Sequence, residues 1–249
     1  MMQSSFGEAL LRLWPQGDVK IPGLRAAMSA SAPDVFATYG LDAPLVVAHV
    51  MAQISHECGA GREVVENLNY TATRMMQVWP ARFPTPASAQ PYAGNPRALA
   101  NKVYNGRMGN AVGSDDGWRF RGRGAVQTTG REGYRRVAAL TGLDLIGNPD
   151  LINEPQHFLE CGVADFILCG CLPFAKADDI VGVTKRLNGG TIGLAARQQW
   201  LAQWKAALRD LPKAVPDTPV TKPVAQAPAV LPSIFSKIIA AIVAVYRRT

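Results

Sequence analysis

Three glutamates follow one another closely in AQISHECGAGREVVENLNY (52–70), the densest group of residues whose types and spacing could do chemistry. Glu57 ends an otherwise apolar stretch next to glycines, where partial desolvation can keep a carboxyl group protonated. Glu63 and Glu66 follow on a polar segment. Glycoside hydrolysis needs such a pair, because one carboxyl protonates the leaving oxygen while the other activates water or attacks the sugar. Taken alone, such glutamates are more often solvated charges at a helix end.

A second dense segment, VYNGRMGNAVGSDDGWRFRGRGAVQTTGREGY (103–134), is rich in glycine interleaved with Arg, Asn, Asp, Trp and Tyr. Glycines let the backbone approach a ligand closely, while polar and aromatic side chains can line a groove. An ordinary long loop is the alternative interpretation, but long irregular loops are uncommon in compact domains and often functional. This segment is therefore a second candidate part of the site.

Together the two segments resemble glycoside hydrolase family 19, the chitinase family that includes many phage and prophage endolysins. The resemblance covers roughly residues 34–210, and several independent motifs in the right order make it specific. They are AQISHE (52–57), ENLNY (66–70), YNGRMGN (104–110), DGWRFRGRGAVQTTGREGY (116–134), NPDL (148–151) and NGG (188–190) with a downstream arginine.

The resemblance implies catalytic roles for three residues. Glu57, in the HE pair, corresponds to the general acid, and Glu66 corresponds to the second carboxylate, placed to act as general base. Thr129 lies where the family has a hydroxyl residue that positions the water. Family 19 enzymes invert the anomeric centre, which requires carboxyl groups about 6.5–9.5 Å apart. The offset from Glu57 to Glu66 permits this separation, and Glu63 is the main rival for the base.

The resemblance also implies a set of substrate-binding residues. Gln127 corresponds to a substrate-binding amide, and Asn188 and Arg197 to groove residues that hold sugar or a catalytic carboxylate. Tyr70 and Trp118 are candidates for stacking on sugar rings, although each is equally suited to a hydrophobic core. Asp115 and Asp116 are weaker candidates for the base than Glu63.

Two departures from the family pattern bear on the function. Cys58 follows the first glutamate where the family usually has a small polar residue, so we expect either a less well hydrogen-bonded carboxyl or a thiol that packs inward. The extra loops and disulfides of plant-type chitinases are not seen. We expect an endolysin that hydrolyses the β-1,4 bonds of peptidoglycan, with a chitinase and a non-catalytic module that binds the cell wall as alternatives.

Hydrophobic periodicity predicts a mainly α fold, and the resemblance implies a lysozyme-like domain of two lobes with a central substrate cleft. Asp42 is the expected N-cap of a helix that begins at Pro44 and ends near Glu57, where glycines follow. Further helices are predicted over 6–14, 71–79, 97–105, 130–142, 155–171, 176–187 and 192–210, with 106–131 as loop or irregular strand.

Composition divides the chain into three parts: a catalytic domain (1–210), a linker containing five prolines (211–230) and an apolar helix with a basic end (231–249). Residues 213–249 carry five basic residues and one acidic residue, so they supply four of the seven net positive charges. Such a tail suits an anionic membrane surface, and a helix that folds back on the enzyme or binds a partner protein fits equally well.

The net charge of +7 favours anionic partners, but no aromatic-flanked basic stripe marks a nucleic-acid groove, so none is expected. The expected partner is the glycan strand of peptidoglycan, with no cofactor. His49 and His56 lie seven residues apart without a metal-binding pattern, so no metal site is expected. The four cysteines are expected to be buried thiols in a reducing compartment. The N-terminus lacks the pattern of a signal peptide, which predicts a cytoplasmic protein until its release.

Overall fold

Helices form nearly all of the regular structure in the computed structural model, which describes residues 2–209. The predicted linker (211–230) and terminal helix (231–249) lie outside the described residues. The helices are α1 (Met2–Leu13), α2 (Leu24–Thr38), α3 (Pro44–Glu57), α4 (Ala72–Val78), α5 (Pro86–Ala89), α6 (Pro96–Tyr104), α7 (Asp116–Arg119), α8 (Gly130–Thr141), α9 (Pro155–Leu168), α10 (Leu172–Lys176), α11 (Ile180–Asn188) and α12 (Leu194–Ala207). Short 3₁₀ helices span Gln90–Tyr92 and Pro149–Asn153. The predicted mainly α class is confirmed.

Most predicted helices are present, with several differences. The sequence does not predict α2, α5 or α7, and the predicted helix over 176–187 is instead the end of α10 and a separate α11. The prediction of Asp42 as N-cap is wrong, because Ala43 holds that position with extended backbone and no side-chain hydrogen bond. Proline at the first helical position fixes the residue directly before it as the cap, and Asp42 lies one residue too early. None of the helices within residues 2–209 has the length and apolar character needed to cross a bilayer.

The larger lobe is built around α3, which is buried continuously from Val46 to Ser55. Helix α3 packs against α9, α10, α11 and α12, so it is buried on several sides. Its sequence is therefore an almost continuous apolar run rather than an amphipathic stripe. Its one buried hydroxyl, Ser55 Oγ, accepts 2.8 Å hydrogen bonds from the indole N–H groups of Trp14 and Trp204. Helices α1 and α12 are thereby held to the end of α3 that carries Glu57.

The smaller lobe has its own hydrophobic cluster, separate from that of the larger lobe. Its buried members all lie between positions 68 and 104: Leu68, Met75, Trp79, Phe83, Ala89, Leu99, Ala100, Val103 and Tyr104. The buried members of the larger cluster come from residues 6–64 and 120–208. The two clusters confirm the predicted two-lobed domain.

The chain enters the smaller lobe after Val64 and returns to the larger lobe at Phe120. The outgoing and returning segments pair with each other through an antiparallel bridge between Val65 and Arg123, and Arg123 pairs in turn with Thr128. The two lobes meet along that junction. Residues just outside the bridge, on either segment, are therefore positioned by both lobes.

Candidate active site

Glu57 is the last residue of α3, and glycines end the helix there. Gly59 and Gly61 have φ angles of 54° and 87°, in the left-handed region that side chains disfavour. A Cβ at Gly61 would lie 2.6 Å from the carbonyl oxygen of Gly17, so this turn also packs too closely for any larger residue. The tight turn places the Glu57 carboxyl at the end of a rigid, buried helix.

The Glu57 carboxylate forms an ion pair with Arg197 of α12. Arg197 Nη2 donates to Glu57 Oε1 at 2.5 Å, and the two side chains are only 2% and 7% exposed. Arg197 Nη1 donates to Gln53 Oε1, one turn earlier on α3. One guanidinium thus bridges two α3 side chains, which fixes the orientation of the carboxyl. Arg197 holds a carboxylate, one of the two roles that the resemblance offers it.

The start of α12 is shaped to bring Arg197 to this position. Gly193, the N-cap, has a φ of 72°, and a Cβ there would lie 2.5 Å from Nε2 of the His56 ring. The imidazole therefore packs directly against the glycine backbone. Asn188 is buried and donates to the carbonyl of Ile192 at 3.0 Å, closing the NGG turn before α12. Its amide stabilises the turn, so Asn188 acts on Arg197 through the backbone.

Glu66 lies at the junction of the lobes and is held from both. Tyr104 of the smaller lobe donates its hydroxyl to Glu66 Oε1 at 2.5 Å. The Gly122 N–H, on the returning segment, donates to Oε2 at 3.3 Å, and the Glu66 N–H donates to the Gly122 carbonyl at 2.9 Å. Burial raises the pKa of Glu66 to about 7, although both hydrogen bonds and the charge of Arg121 act in the opposite direction.

Three predicted site residues converge on Gly122. A Cβ at this glycine would lie 3.0 Å from Gln127 Oε1, 3.2 Å from Thr129 Oγ1 and 3.3 Å from Glu66 Cβ. The side chains of Gln127 and Thr129 are partly exposed, as is that of Glu66. An amide, a hydroxyl and a carboxyl thus surround one small surface, where a water molecule has several polar groups to bind.

The conformation of Gln127 is fixed by its own hydrogen bonds. Its φ angle is 56°, which is unusual for a residue other than glycine. Its Nε2 group donates to the carbonyl oxygen of Glu63 at 2.9 Å, and Thr129 Oγ1 donates to the Gln127 carbonyl at 2.9 Å. The segment 127–129 is therefore a preformed part of the cleft surface.

Asp165 is a third carboxyl of the site, and the sequence did not predict it. The Thr128 hydroxyl donates to Asp165 Oδ2 at 2.5 Å, and the side chain is partly exposed. Burial raises the pKa of Asp165, and the nearby charge of Glu57 raises it further. Asp165 thus connects the segment that carries Thr129 to the end of α3 that carries Glu57. Its position as a lone acid in the apolar run GVADFIL is a signal that could have revealed it.

A glycine explains how Asp165 reaches this position. Gly162 precedes it by one turn on α9, and a Cβ there would lie 3.2 Å from Ile54 Cδ1 and 2.5 Å from Ala125 Cβ. The helices α9 and α3 therefore approach closely at these residues. The effect of the Glu57 charge on the pKa of Asp165 places the two acids near each other beside this contact.

The two predicted aromatic residues lie at the smaller lobe. Tyr70 packs edge-on against Trp79 with ring centroids 5.4 Å apart, and burial raises its pKa to about 12, with the charge of Glu66 acting in the same direction. Trp118 packs against the smaller hydrophobic cluster, and the guanidinium of Arg121 covers one face of its ring at 3.7 Å. Both residues border the cleft and also support the lobe.

The rival acids have other contacts. The Glu63 side chain is exposed beside Gly59, and only its backbone contacts Gln127. Asp115 forms a two-bond ion pair with Arg97 at 2.8 Å. Asp116 is buried and accepts from the Ala111 N–H at 3.0 Å, which shapes the loop before α7. Unlike these acids, Glu66 has a side chain that meets Gln127 and Thr129 at Gly122.

The histidines and cysteines have structural surroundings. His49 is fully buried, bonds Asp178 through Nε2 at 2.8 Å and lies about two turns of α3 before Glu57. No group of His, Cys, Asp and Glu within residues 2–209 has the arrangement of a metal site. All four cysteines are free, and the Cys58 thiol packs inward, donating to the Ile54 carbonyl at 3.1 Å. Burial raises the pKa of Cys58 to about 12.

Comparisons with known proteins agree with this geometry. No family model matches the chain. A curated relative from Haemophilus influenzae, described as a glycosyl hydrolase family 19 domain-containing protein, is 34% identical over 152 residues, which cover 59% of this chain and 72% of the relative. Chitinase C from Streptomyces griseus HUT6037 has a TM-score of 0.50 at 16% identity, covering 82% of this chain and 93% of that structure. A chitinase C mutant gives a TM-score of 0.51 at 14% identity, covering 84% and 94%.

The sequence relative identifies this chain as a glycoside hydrolase, a glycan-cleaving enzyme, and the solved structures show that its helical fold is shared with chitinases. At their low identities, the solved structures establish the fold alone. The sequence relative establishes the family, because the matched region spans most of its length. The chain belongs to glycoside hydrolase family 19.

Proposed function

We propose that this chain is an endolysin that hydrolyses the β-1,4 bonds of peptidoglycan glycan strands by a single displacement. Glu57 donates a proton to the leaving oxygen, and Glu66 accepts a proton from the attacking water. The observation that carries the proposal is the convergence of Glu66, Gln127 and Thr129 around Gly122, connected through Thr128 and Asp165 to the Glu57 end of α3.

The surroundings of Glu66 suit a general base. A base is most effective when its pKa lies near the working pH, because it is then a strong proton acceptor that is still substantially ionised. A pKa of about 7 meets both conditions at neutral pH. The Thr129 hydroxyl, close to Glu66 across Gly122, is placed to orient the water.

The surroundings of Glu57 suit a general acid that leaves a carboxylate behind. Once its proton has passed to the leaving oxygen, the remaining negative charge is compensated by Arg197 at 2.5 Å. The bridge from Arg197 to Gln53 keeps the carboxyl oriented before and after the transfer. Stabilising charge where it develops is the largest single contribution in many enzymes.

Peptidoglycan is favoured over chitin on electrostatic grounds. The chain carries a net charge of +7, and cell-wall polymers are anionic, whereas chitin is neutral. Chitin is the second candidate substrate, because the solved structures with this fold are chitinases.

The test compares Glu57→Gln, Glu66→Gln and Glu63→Gln on purified peptidoglycan and on chitin hexamers. We expect the first two variants to remain folded and lose about 100-fold or more in turnover, while Glu63→Gln keeps its activity. Mass spectrometry of the fragments identifies the bond, and proton NMR of the first product identifies the anomer. Lysis by Glu57→Gln, or a product that retains the β configuration, would contradict the mechanism. Turnover of chitin alone would contradict the substrate.

A further inference from the structure

Arg121 is a partly buried cation in the cleft without an acidic partner. The neighbouring arginines differ: Arg123 pairs with Asp150 at 2.9 Å, and Arg131 pairs with Asp116 at 3.4 Å. Arg121 makes no ion pair with any acidic side chain of residues 2–209. Its one hydrogen bond there runs from Nη1 to the carbonyl of Trp118, at 2.9 Å.

The Arg121 guanidinium is held in place without being neutralised. It lies over the Trp118 ring at 3.7 Å from the centroid, so the indole fixes the plane of its N–H groups. A guanidinium has five N–H donors, and one of them is used by the Trp118 carbonyl. The side chain is partly exposed, which leaves donors available to a ligand in the cleft.

Arg121 also lies on the Glu66 side of the site. It immediately precedes Gly122, on which Glu66, Gln127 and Thr129 converge. Its charge acts on the Glu66 carboxyl, lowering that pKa against the effect of burial. Burial and the charge of Arg123 in turn lower the pKa of Arg121, while the charges of Asp150 and Glu66 act in the opposite direction without forming an ion pair with it. A partly buried cation beside another cation gains from binding an anion directly.

We propose that Arg121 is a specificity residue that binds a carboxylate carried by the glycan strand next to the cleaved bond. This inference rests on the proposed function, since it identifies what distinguishes an anionic wall glycan from neutral chitin at the same site. The ordered N–H donors form charge-assisted hydrogen bonds with a carboxylate, and the stacked guanidinium loses little conformational entropy in doing so. Neutral N-acetylglucosamine polymers offer no such group.

The carboxylate that the strand offers depends on its peptides: a stem peptide carries its own carboxyls and is amide-linked to the lactyl group of the sugar, whose carboxyl is free only where the peptide has been removed. Four substrates separate the two groups: strands with peptides, strands stripped of peptides, stripped strands with the lactyl carboxyl converted to a neutral methyl amide, and chitin hexamers. Cleavage of each is measured as kcat/KM for the wild type, Arg121→Gln, Arg121→Lys and Arg12→Gln. Arg12→Gln is the control, because Arg12 is exposed on α1 and its replacement removes the same unit of charge away from the site.

We expect Arg121→Gln to lower kcat/KM on the charged strands by about 10- to 100-fold more than on the neutralised strands and chitin, as for a lost hydrogen bond to a charged group. The kcat/KM of Arg121→Lys on the charged strands should fall between those of the wild type and Arg121→Gln, and Arg12→Gln should match the wild type. If Arg121→Gln has a larger effect on stripped strands than on strands with peptides, the bound group is the lactyl carboxylate. If it has an effect only on peptide-bearing strands, the bound group is a carboxyl of the stem peptide. Any shift in the Glu66 pKa affects all substrates alike, so it cancels in the ratio.

Failure of the role proposed for Arg121 can be distinguished from failure of the proposed function. If the wild type cleaves wall glycans and Arg121→Gln loses the same factor on charged and neutral substrates, the role of Arg121 is refuted while the proposed function stands. If the wild type cleaves none of the wall strands, the proposed function fails and the Arg121 inference fails with it. Circular dichroism and thermal unfolding identify any variant that is misfolded, and Arg121→Lys then provides the comparison.

Discussion

Replacing Glu66 with glutamine should stabilise the protein above neutral pH while inactivating it. Burial raises the pKa of this carboxyl from its ordinary 4.5 to about 7, so the folded protein holds the proton more tightly than the unfolded chain does. The stabilisation by this proton is fully present below pH 4.5 and is lost as the pH rises through about 7. Between pH 5 and pH 8 the loss amounts to about 2 kcal/mol, by linkage from these two pKa values.

Glutamine at position 66 keeps most of the contacts without the titration. Its amide oxygen can accept from Tyr104 or Gly122, and the tyrosine hydroxyl can accept from the amide nitrogen. The variant should therefore lack this contribution to the pH dependence and exceed the wild type in unfolding free energy at pH 8 by about 2 to 3 kcal/mol. The raised pKa of Asp165 contributes to both proteins, so its effect largely cancels in the difference.

Urea denaturation at pH 5, 6, 7 and 8 measures this difference directly. Glu63→Gln is the matched control, because it also replaces one glutamate by glutamine but at an exposed position, and it should follow the wild type at every pH. Parallel pH profiles for the wild type and Glu66→Gln would refute the idea that burial raises the proton affinity of Glu66. A less stable variant at pH 8 would show that the ionised carboxylate is worth more than its desolvation costs.

Two further substitutions test how the site is held. Arg197→Lys should reduce the unfolding free energy by about 3 kcal/mol and also reduce turnover, because one ammonium cannot bridge Gln53 and Glu57 as the buried guanidinium does. Urea denaturation checks the stability, and an unchanged value would mean that the bridge contributes nothing. Gly122→Ala should lower kcat by about 100-fold with little loss of stability, since its Cβ displaces three site side chains, 3.0 to 3.3 Å away, in a backbone conformation that alanine tolerates. Gly190→Ala, with nothing within 4 Å of its Cβ, is the control, and equal kcat values for the two variants would contradict the prediction.

The sequence predicts most of the helices because their information is local. The apolar run of α3, its proline start and the glycines after Glu57 are all read from neighbouring residues. The sequence does not predict helix α2, because its apolar and polar residues are only weakly separated onto different faces and Pro33 lies inside the helix. Capping was misassigned at Asp42 because the choice between adjacent residues depends on backbone angles that composition does not reveal.

The motifs predict which two glutamates are candidates for catalysis, but they do not predict the environment of either carboxyl. Tyr104 lies 38 residues from Glu66, and Arg197 lies 140 residues from Glu57. Both partners fall within the quoted motifs, yet only the packing of the lobes shows which carboxyl each one contacts. Asp165 lies outside every quoted motif.

By itself, the sequence determined the mainly helical class, the end of α3 at Glu57 and the set of residues from which a glycosidase site could be built. The tertiary structure decided that Arg197 compensates Glu57, that Glu66 is the carboxyl with the raised pKa, and that Arg121 is left without an acidic partner. Helix formation follows from neighbours along the chain, whereas desolvation and ion pairing depend on which distant surfaces meet at the junction of the lobes.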